Sequence, residues 1–250
     1  MRRALVTGAS AGLGLALVRR LLLEGEGADW TVIGVDRDRA PTLAPNASYQ
    51  HNRCDLSEGE EVDGLVRSLA DDRFDLAILS AGISATGRFE VIPAEAHARV
   101  LAVNAAAPLV VADALLDGRM ARGGRLVLIG SLSSDVGYPG ATSYAASKDA
   151  LAAYARSIAK RAGAAGVSVL LVLPGPIRTE HAARHAPAGA KADRRMDPDD
   201  LARRILAAKR GTLRPGMGAR LGGALGHIAP RLSAKLMRRA LFQKLDREVW

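Results

Sequence analysis

The segment from Ala4 to Glu24 constrains the fold most, because it joins a short apolar run, a glycine-rich turn and a helical apolar pattern without a break. Ala4-Leu5-Val6 is too short for a helix and predicts a buried strand. The turn Thr7–Gly14 has glycines at positions 8, 12 and 14, and apolar residues then recur at helical spacing over Leu13–Glu24. A strand that enters a helix through glycines exposes unpaired N–H groups at the positive end of the helix dipole. The segment therefore predicts a phosphate-binding turn.

The rest of the chain alternates short apolar runs with helical patterns, which predicts a parallel sheet covered on both faces. The predicted strands are Ala4–Thr7, Thr31–Val35, Ser48–Arg53, Leu76–Ser80, Arg125–Ser131 and Ser168–Leu173. The predicted helices are Leu13–Glu24, Gly59–Ala70, Glu95–Leu116, Ser143–Ala165, Asp199–Lys209 and Pro230–Leu245. With 250 residues and no linker or repeat, we expect one α/β domain with a doubly wound parallel sheet. Its ligand should lie beyond the carboxyl ends of the strands.

Tyr144 and Lys148 stand four residues apart in a predicted helix, so they share one face. A free tyrosine has a pKa of ~10, and a neighbouring positive charge favours the phenolate and lowers that value. A tyrosine tuned in this way can act as a general acid or base at a carbonyl or an alcohol. The pair alone is equally compatible with an ordinary surface helix, so the interpretation depends on the motifs around it.

Together these motifs resemble the short-chain dehydrogenase/reductase family over roughly residues 3–180. Positions 7–14 read TGASAGLG, similar to that family's TGxxxGxG turn, and 144–148 read YAASK, similar to its YxxSK segment. Ser131 stands at the spacing of the family's catalytic serine. Further similarities are Cys54-Asp55-Leu56, Ser80-Ala81-Gly82 (where the family usually has Asn-Ala-Gly), Asn104 and Pro174–Thr179. The resemblance implies a Rossmann-type NAD(P)-binding fold and an oxidoreductase that transfers hydride between nicotinamide and the alcohol or ketone carbon of a small molecule.

The resemblance also implies roles for residues of this chain. Tyr144 exchanges a proton with the substrate oxygen, Lys148 lowers the Tyr144 pKa and binds the nicotinamide ribose, and Ser131 polarises the substrate oxygen. Asn104 positions a water that connects Lys148 to solvent. The implied cofactor contacts, besides Tyr144 and Lys148, are Gly8, Ser10, Gly12, Leu13, Gly14, Asp36, Asp55, Leu56, Ser80, Ala81, Gly82, Pro174, Gly175, Ile177 and Thr179. No metal is expected.

NAD is the expected cofactor, because Asp36 stands 22 residues after Gly14. An acid there accepts hydrogen bonds from the adenosine ribose and repels a 2′-phosphate. Ala11 supports NAD, since NADP-using relatives often have Lys or Arg at that position, whereas Arg37 leaves NADP open. The alternative is an NADPH-dependent carbonyl reductase of acyl or polyketide-type metabolism. A third reading is a non-catalytic dinucleotide-sensing protein, for which the glycine turn alone would suffice.

The net charge of +9 is concentrated near the C-terminus, where 203–250 contains twelve Lys or Arg and two acids. Such a segment attracts phosphate-rich or anionic surfaces, or is a solvated basic face. Nucleic acid is not expected as a partner, because no helix-turn-helix is recognisable and aromatics form only 4% of the chain. Cys54 is the only cysteine, no long apolar run occurs, and the first strand leaves no space for a signal peptide. We therefore expect a cytoplasmic protein without a transmembrane segment.

Two segments lack a clear pattern. We expect 180–198 to form a substrate lid, as the resemblance implies, and 211–250 to form a basic helical extension in which the family's usual last strand is not recognisable. In the extension, Leu232, Leu236 and Leu241 line one side of the predicted helix. We expect this stripe to be buried against its own domain or against a partner subunit of a homo-oligomer, either a dimer or a tetramer. Weak docking of the same face on a membrane surface is the alternative.

Overall fold

The structure is a computed structural model that describes residues 1–23, 30–44, 47–186, 190, 192–241 and 249–250. Within these residues, seven strands form one parallel sheet in the order β3-β2-β1-β4-β5-β6-β7. The strands are β1 (Arg2–Thr7), β2 (Trp30–Asp36), β3 (Tyr49–Arg53), β4 (Phe74–Leu79), β5 (Met120–Ile129), β6 (Ser168–Val172) and β7 (Gly211–Leu213). The predicted doubly wound α/β fold is confirmed, and all six predicted strands are present.

Helices cover both faces of this sheet. They are α1 (Gly12–Leu23), α2 (Gly59–Ser68), α3 (Ala94–Leu101), α4 (Ala107–Ala114), α5 (Ser133–Val136), α6 (Thr142–Ala164), α7 (Glu180–Arg184), α8 (Pro198–Ala207), α9 (Met217–Ile228) and α10 (Pro230–Leu241). A π-helical turn, Ala102–Ala106, joins α3 to α4, and a second one, Leu115–Arg119, follows α4. Short 3-10 turns occur at Phe89–Val91 and Ala192–Arg194.

The two faces of the sheet build two separate apolar cores. Successive residues of a strand point to opposite faces, so Leu5 enters the core beneath α2, α4 and α6. Its neighbours Ala4 and Val6 enter the core beneath α1 and α8. Leu5 and Leu17 are both completely buried, and burying one such side chain stabilises the fold by ~1.5–3 kcal/mol. The sheet is therefore held between two packed layers, which fixes the segments that leave its carboxyl edge.

The strand order decides where a ligand can lie. β1 pairs with β2 on one side and with β4 on the other, and Thr7 stands beside Leu79 at the carboxyl ends of β1 and β4. The connections that leave these two strands run towards opposite sides of the sheet. This reversal opens a crevice at the carboxyl edge, the usual position of ligands in such folds.

Among the described residues, one helical stretch, Ala94–Arg119, is long and apolar enough to cross a membrane by length and composition. Half of its most apolar window is buried inside the fold. Val103, Val111 and Leu115 from this stretch belong to the core on one face of the sheet. The stretch is thus a core helix of this domain.

The C-terminal region differs from the prediction. A last strand, not recognisable in the sequence, is present as β7, which pairs with β6 through three residues only. Three residues are too few to give a recognisable alternation. The glycine-rich segment after it, which showed no pattern, contains the helix α9. The helix predicted over Pro230–Leu245 is observed as Pro230–Leu241, and 242–245 lie outside the described residues.

The apolar stripe predicted on α10 is only partly covered by its own domain. Leu232 is 50% exposed and Leu236 is 48% exposed, and the side chain of Leu241 lies outside what the structure describes. The domain therefore covers these two leucines only in part, because the rotation of α10 turns Ser233, only 2% exposed, towards the fold. Burial of the stripe against a partner subunit stays a prediction.

Candidate active site

The turn between β1 and α1 depends on its glycines for its shape. Gly8 and Gly12 have φ angles of +71° and +53°, in the left-handed region that favours glycine. A Cβ atom added to Gly14 would lie 1.9 Å from the carbonyl oxygen of Gly8. This close approach lets the N-terminus of α1, with Leu13 buried beneath it, open directly beyond β1. Because the first turn of α1 has no acidic residue, this is a fitting position for a diphosphate.

The segment after β4 is fastened to this turn by a threonine. The Oγ1 atom of Thr7 accepts hydrogen bonds from the backbone N–H groups of Ser80 and Ala81, at 3.0 and 3.1 Å. A Cβ atom on Gly8 would lie 2.9 Å from the Cα atom of Ala81. The predicted contacts Ser80, Ala81 and Gly82 are thus brought beside the glycine turn. Thr7 was not among the predicted site residues, although its place at the end of the first apolar run was a signal.

Asp36 lies at the end of β2, partly buried, and reaches the glycine turn. Its Oδ2 atom accepts a 3.0 Å hydrogen bond from the backbone N–H of Ser10, and its Oδ1 atom accepts one of 3.1 Å from the N–H of Asp38. The Ser10 hydroxyl donates to the carbonyl oxygen of Arg39 at 2.8 Å. These contacts fix the carboxylate at one end of the crevice, and its two oxygens retain lone pairs for a further donor.

Asp55 and Leu56 occupy the predicted position after β3. Asp55 accepts hydrogen bonds from Ser57 and forms a 3.0 Å ion pair with Arg99, whereas Leu56 is buried in the core. Desolvation raises the pKa of Asp55, but the hydrogen bonds from Ser57 and the charge of Arg99 outweigh it, so the pKa lies below its usual value. Asp55 is therefore a fixed carboxylate at the rim of the crevice.

Three of the four predicted catalytic side chains meet above the end of β5, and the fourth, Asn104, is described below. Ser131 follows β5, while Tyr144 and Lys148 lie in the first turns of α6. The Nζ atom of Lys148 lies 5.8 Å from the centre of the Tyr144 ring and donates a 2.9 Å hydrogen bond to the carbonyl oxygen of Ile129. The predicted arrangement of a lysine beneath the tyrosine ring is present in the structure.

Burial dominates the pKa values of both groups. Burial raises the pKa of Tyr144, and a hydrogen bond with Ser131, which lowers it, does not offset the effect. Burial lowers the pKa of Lys148 from 10.5 to about 8, because a buried ammonium loses its hydration. The direction for Tyr144 is opposite to the prediction that Lys148 would lower it. Within the polypeptide, Lys148 donates to the Ile129 carbonyl, and desolvation is the larger influence on the phenol.

Asn104 is completely buried in the π-helical turn between α3 and α4. Its amide donates to the carbonyl oxygen of Ile83 at 2.8 Å and to the Ser147 hydroxyl at 3.1 Å, and its Oδ1 atom accepts from the N–H of Ile83 at 2.8 Å. The Ser147 hydroxyl in turn donates to the backbone carbonyl of Tyr144 at 2.7 Å. Ser147 was missed by the prediction, although it stands inside the YAASK motif. Asn104 thus joins the segment after β4 to the start of α6.

The segment after β6 closes the other side of the crevice. The N–H of Leu132 donates to the carbonyl oxygen of Pro174 at 2.9 Å, which links this segment to the residue after Ser131. Thr179 caps α7 by accepting a 3.1 Å hydrogen bond from the N–H of Ala182. A Cβ atom on Gly12 would lie 3.2 Å from the Cγ2 atom of Thr179. The predicted cofactor contacts in this segment, brought opposite the glycine turn, are Pro174, Gly175, Ile177 and Thr179.

The two ends of the predicted lid, 180–198, lie close together. Ile177 and Met196 form an isolated parallel bridge that fastens the two ends of the segment. Arg178 pairs with Asp197, so this guanidinium is already matched by a carboxylate.

Two histidines join the lid to the C-terminal residues. The ring centres of His181 and His185 are 4.5 Å apart, and Nδ1 of His185 lies 3.0 Å from Oγ1 of Thr86. Thr86 exchanges two backbone hydrogen bonds with Val249, at 2.8 and 3.0 Å. Burial, with a smaller effect of His181, lowers the pKa of His185 to about 4, so its imidazole is neutral. No short-range sequence pattern could have indicated contacts between residues so distant in the chain.

These residues fit a nicotinamide dinucleotide. The crevice has an anion-binding turn in its middle, the Asp36 carboxylate at one end, and Ser131, Tyr144 and Lys148 at the other. In the part of the chain that the structure describes, no group of three or more His, Cys, Asp and Glu side chains could hold a metal ion.

Comparison with known proteins agrees with this geometry. Residues 2–188 match the short chain dehydrogenase family. The cyclic-di-GMP-binding biofilm dispersal mediator protein of Escherichia coli (strain K12) is 33% identical over 177 residues, which cover 70% of this chain and 73% of that protein. The 1-deoxy-11-beta-hydroxypentalenate dehydrogenase of Streptomyces exfoliatus is 32% identical over 211 residues, with 80% and 77% covered. The crystal structure of BdcA in complex with NADPH is similar with a TM-score of 0.72 and 26% identity, and 85% and 93% of the two chains are covered.

Proposed function

Because this chain belongs to the short-chain dehydrogenase/reductase family and is an NAD(P)-dependent oxidoreductase acting on alcohol or ketone carbons, we propose that Tyr144, Lys148 and Ser131 carry its chemistry. The nicotinamide, when bound, accepts or supplies the hydride. The polypeptide then has to move one proton at the substrate oxygen and hold that oxygen in place. What supports this assignment is the Lys148 Nζ atom 5.8 Å from the Tyr144 ring centre, on a helix that opens beside Ser131.

Tyr144 is the proposed acid and base. It donates its phenolic proton to the substrate oxygen during reduction and, as the phenolate, removes the hydroxyl proton during oxidation. The raised pKa of Tyr144 keeps the phenol protonated near neutral pH, which suits the donor role. Ser131 orients the substrate oxygen through its hydroxyl, which is close enough to Tyr144 to lower the pKa of the phenol, so both groups can act on the same substrate oxygen.

Lys148 is the proposed proton store for Tyr144. A pKa of about 8 lets this lysine gain and lose a proton near physiological pH. Its contact with the nicotinamide ribose is a further part of the proposal. Asn104 acts at a distance, because its amide holds Ser147, whose hydroxyl is bonded to the Tyr144 carbonyl oxygen. The water that Asn104 is predicted to position remains a prediction.

The test of the catalytic assignment is Tyr144→Phe, with Tyr154→Phe on the same helix as the matched control. Loss of general acid–base catalysis lowers turnover by about a hundredfold or more, so Tyr144→Phe should reduce kcat to that extent while the dissociation constant for NADH stays within a factor of about three. Tyr154→Phe should keep kcat near the wild-type value. Activity of Tyr144→Phe within about tenfold of wild type contradicts the proposed role of Tyr144.

We further propose that NAD is preferred to NADP. The Asp36 carboxylate, held at the glycine turn by the N–H of Ser10, repels a 2′-phosphate and accepts bonds from ribose hydroxyls. Ala11 offers no positive charge to bind that phosphate. The relative crystallised with NADPH and the nearby Arg37 make NADP the alternative.

The cofactor preference is tested by comparing kcat/KM for NAD and NADP in wild type, Asp36→Ala and the neighbouring control Asp38→Ala. We expect wild type and Asp38→Ala to prefer NAD, and Asp36→Ala to lose at least tenfold of that preference. A wild-type preference for NADP contradicts the assignment.

The substrate class proposed is a small organic alcohol or ketone. The Streptomyces relative is named as the dehydrogenase of a hydroxylated pentalenate, which favours the oxidation of a secondary alcohol. A panel of alcohols and ketones, followed by NADH absorbance in both directions, identifies the class and the direction. Carbonyl reduction of acyl or polyketide-type compounds with NADPH is the alternative that the same panel reports. Because the Escherichia coli relative is named for binding cyclic-di-GMP, the panel includes that ligand, and binding without turnover of any substrate would favour a sensor.

The proposed organisation is one NAD(P)-binding domain over 1–250, with a lid over 180–198 and a basic extension over 211–250. We propose that it assembles as a homo-oligomer, with the apolar surface at Leu101 and Val110 on the long core helix, 43% and 44% exposed, as the contact. The proposed location is the cytoplasm, because a single cysteine suits a reducing compartment. Light scattering on the purified chain and on Leu101→Ser/Val110→Ser measures the assembly. A monomeric wild type contradicts the proposed assembly.

A further inference from the structure

The two C-terminal helices carry a band of exposed apolar side chains. On α9, Leu221, Leu225 and Ile228 are 67%, 37% and 85% exposed, and on α10, Leu232 and Leu236 are about half exposed. In the three residues of α9 the spacing is i, i+4, i+7, which places them on one side of that helix. We name these five residues the outer face.

The packing of α9 on α5 fixes which side of α9 faces away from the domain. The opposite side of α9 consists of glycines that lie against α5: a Cβ atom on Gly226 would be 2.0 Å from the Asp135 carbonyl oxygen, and one on Gly222 would be 3.4 Å from the Leu132 side chain. Arg214, just before α9, forms a 3.0 Å ion pair with Asp135, whose side chain is 6% exposed. The glycine side is therefore fixed inward by close backbone contact, and the outer face points away from the domain.

The segment that carries the outer face contains charged residues of a single sign. No Asp or Glu occurs between Asp200 and Asp246, whereas eleven Lys or Arg do. Arg231, Lys235 and Arg239 are exposed and repeat every four residues along α10. Basic side chains on a soluble surface are normally interspersed with acids, and in this segment of 45 residues, which carries the exposed apolar side chains, no acid occurs.

We propose that the outer face binds the surface of an anionic lipid bilayer. Exposed leucine and isoleucine side chains enter the boundary between headgroups and acyl chains, and the basic stripe of α10 binds the anionic headgroups. A two-fold contact between two copies would place each basic stripe against another in a segment that supplies no carboxylate to pair with it. Charge complementarity therefore selects a lipid surface rather than a second copy of this chain.

The helix that carries part of the outer face packs against the segment that follows the catalytic Ser131. The helix α5, on which α9 packs, begins two residues after Ser131. The C-terminal Val249 is bonded to Thr86, and Trp250 beside it is 54% exposed. Tryptophan is enriched at membrane interfaces. The outer face is thus connected, through the contact of α9 with α5, to the segment that follows Ser131.

The apolar part of the proposal is tested by co-sedimentation with vesicles of phosphatidylcholine containing about one quarter phosphatidylglycerol. Removing one buried aliphatic side chain weakens partitioning by about tenfold or more, so Ile228→Ser and Leu221→Ser should each do so. The matched control is Leu23→Ser, which removes an aliphatic side chain that is 72% exposed at the end of α1. It should bind vesicles as wild type does. All three positions are exposed, so circular dichroism and NADH affinity should be unchanged.

The electrostatic part is tested by Arg231→Gln/Lys235→Gln against the control Arg19→Gln/Arg67→Gln, which removes two exposed charges elsewhere. The first pair should weaken binding by about thirtyfold, at about five- to sixfold per charge, and the control by little. Binding should also fall as NaCl rises from about 0.05 to about 0.5 M. Absence of vesicle binding by wild type overturns the proposal. So does equal binding to pure phosphatidylcholine, or an oligomer that Leu221→Ser/Ile228→Ser dissociates, which would make the outer face a contact between copies.

Discussion

The glycine turn of residues 7–14 and the glycine side of α9 both depend on close backbone contact, but they have different consequences. In both, the backbone approaches another segment so closely that a side chain has no space. An added Cβ atom would lie 1.9 Å from the Gly8 carbonyl oxygen at Gly14 and 2.0 Å from the Asp135 carbonyl oxygen at Gly226. In the turn, the close approach uncovers N–H groups for a ligand inside the crevice. In α9, it presses the helix onto α5 and turns leucines outward. In each region, close contact at glycines fixes the orientation of a helix. The groups left exposed, N–H groups at the turn and leucine side chains on α9, then determine which kind of ligand or surface that region can bind.

The largest expected effect is at the turn. Gly14→Ala places a methyl group into the Gly8 carbonyl, so we expect a loss of more than about 3 kcal/mol in the free energy of unfolding or of NADH binding. Gly218→Ala in α9 is the matched control, because nothing lies within 4 Å of its Cβ position, and an alanine there should stabilise by ~0.5–1 kcal/mol. Urea unfolding and NADH titration measure both. Equal behaviour of the two variants would show that the close contact in the turn is unimportant.

Lys148→Met separates stability from activity. The folded pKa of Lys148 is about 8, below the unfolded 10.5, so below pH 8 the fold bears the cost of a buried charge, and this cost disappears as pH rises from about 8 to 10.5. The free energy of unfolding of Lys148→Met should therefore exceed that of wild type by about 2 kcal/mol at pH 7, and this difference should shrink towards pH 10. At the same time, kcat should fall by at least about a hundredfold. Urea unfolding at the two pH values checks this. A variant less stable than wild type at pH 7 contradicts the interpretation.

Gly226→Ala tests the outer region with the same kind of change as at the turn. The added methyl group meets the Asp135 carbonyl oxygen, which should cost about 2 kcal/mol and loosen α9 from α5. Gly163→Ala, at an open position of α6, is its control and should be neutral or slightly stabilising. Because Asp135 lies four residues after Ser131, Gly226→Ala should also raise KM more than it lowers kcat. Hydrogen exchange in 217–228 that is unchanged from wild type would contradict the proposed packing.

The smallest expected effect concerns the join between lid and C-terminal residues. The folded pKa of His185, about 4, lies below the ordinary 6.5, so the stability from its neutral form is complete above pH 6.5 and is lost as pH falls towards 4. Since His185 is partly exposed, the loss should be about 1 kcal/mol. Wild type should thus lose more stability than His185→Gln between pH 7 and pH 5, with faster hydrogen exchange at Thr86. If the free energy of unfolding of the two proteins changes with pH in parallel, His185 does not contribute to the pH dependence.

The sequence allowed the sheet and the catalytic segment to be predicted because their constraints are local. Each strand buries a short apolar run, and Tyr144 and Lys148 meet through helical spacing alone. The pKa of Tyr144 could not be predicted in the same way, since its direction depends on how deeply tertiary packing buries the phenol. The orientation of the stripe on α10 could not be predicted for a related reason. Helical periodicity shows that Leu232 and Leu236 share a side, but only the packing of Ser233 shows which way that side turns.

One paired experiment tests the central claim most directly, namely that this chain keeps catalysis in the crevice and surface binding on α9 and α10. Hydride transfer and vesicle binding are measured on the same preparations of Tyr144→Phe and Ile228→Ser. We predict that Tyr144→Phe loses at least about a hundredfold in hydride transfer and binds vesicles as wild type does. Ile228→Ser should keep hydride transfer on a water-soluble substrate and lose about tenfold in vesicle binding. Turnover by Tyr144→Phe close to that of wild type, or loss of both properties in either variant, would contradict the account.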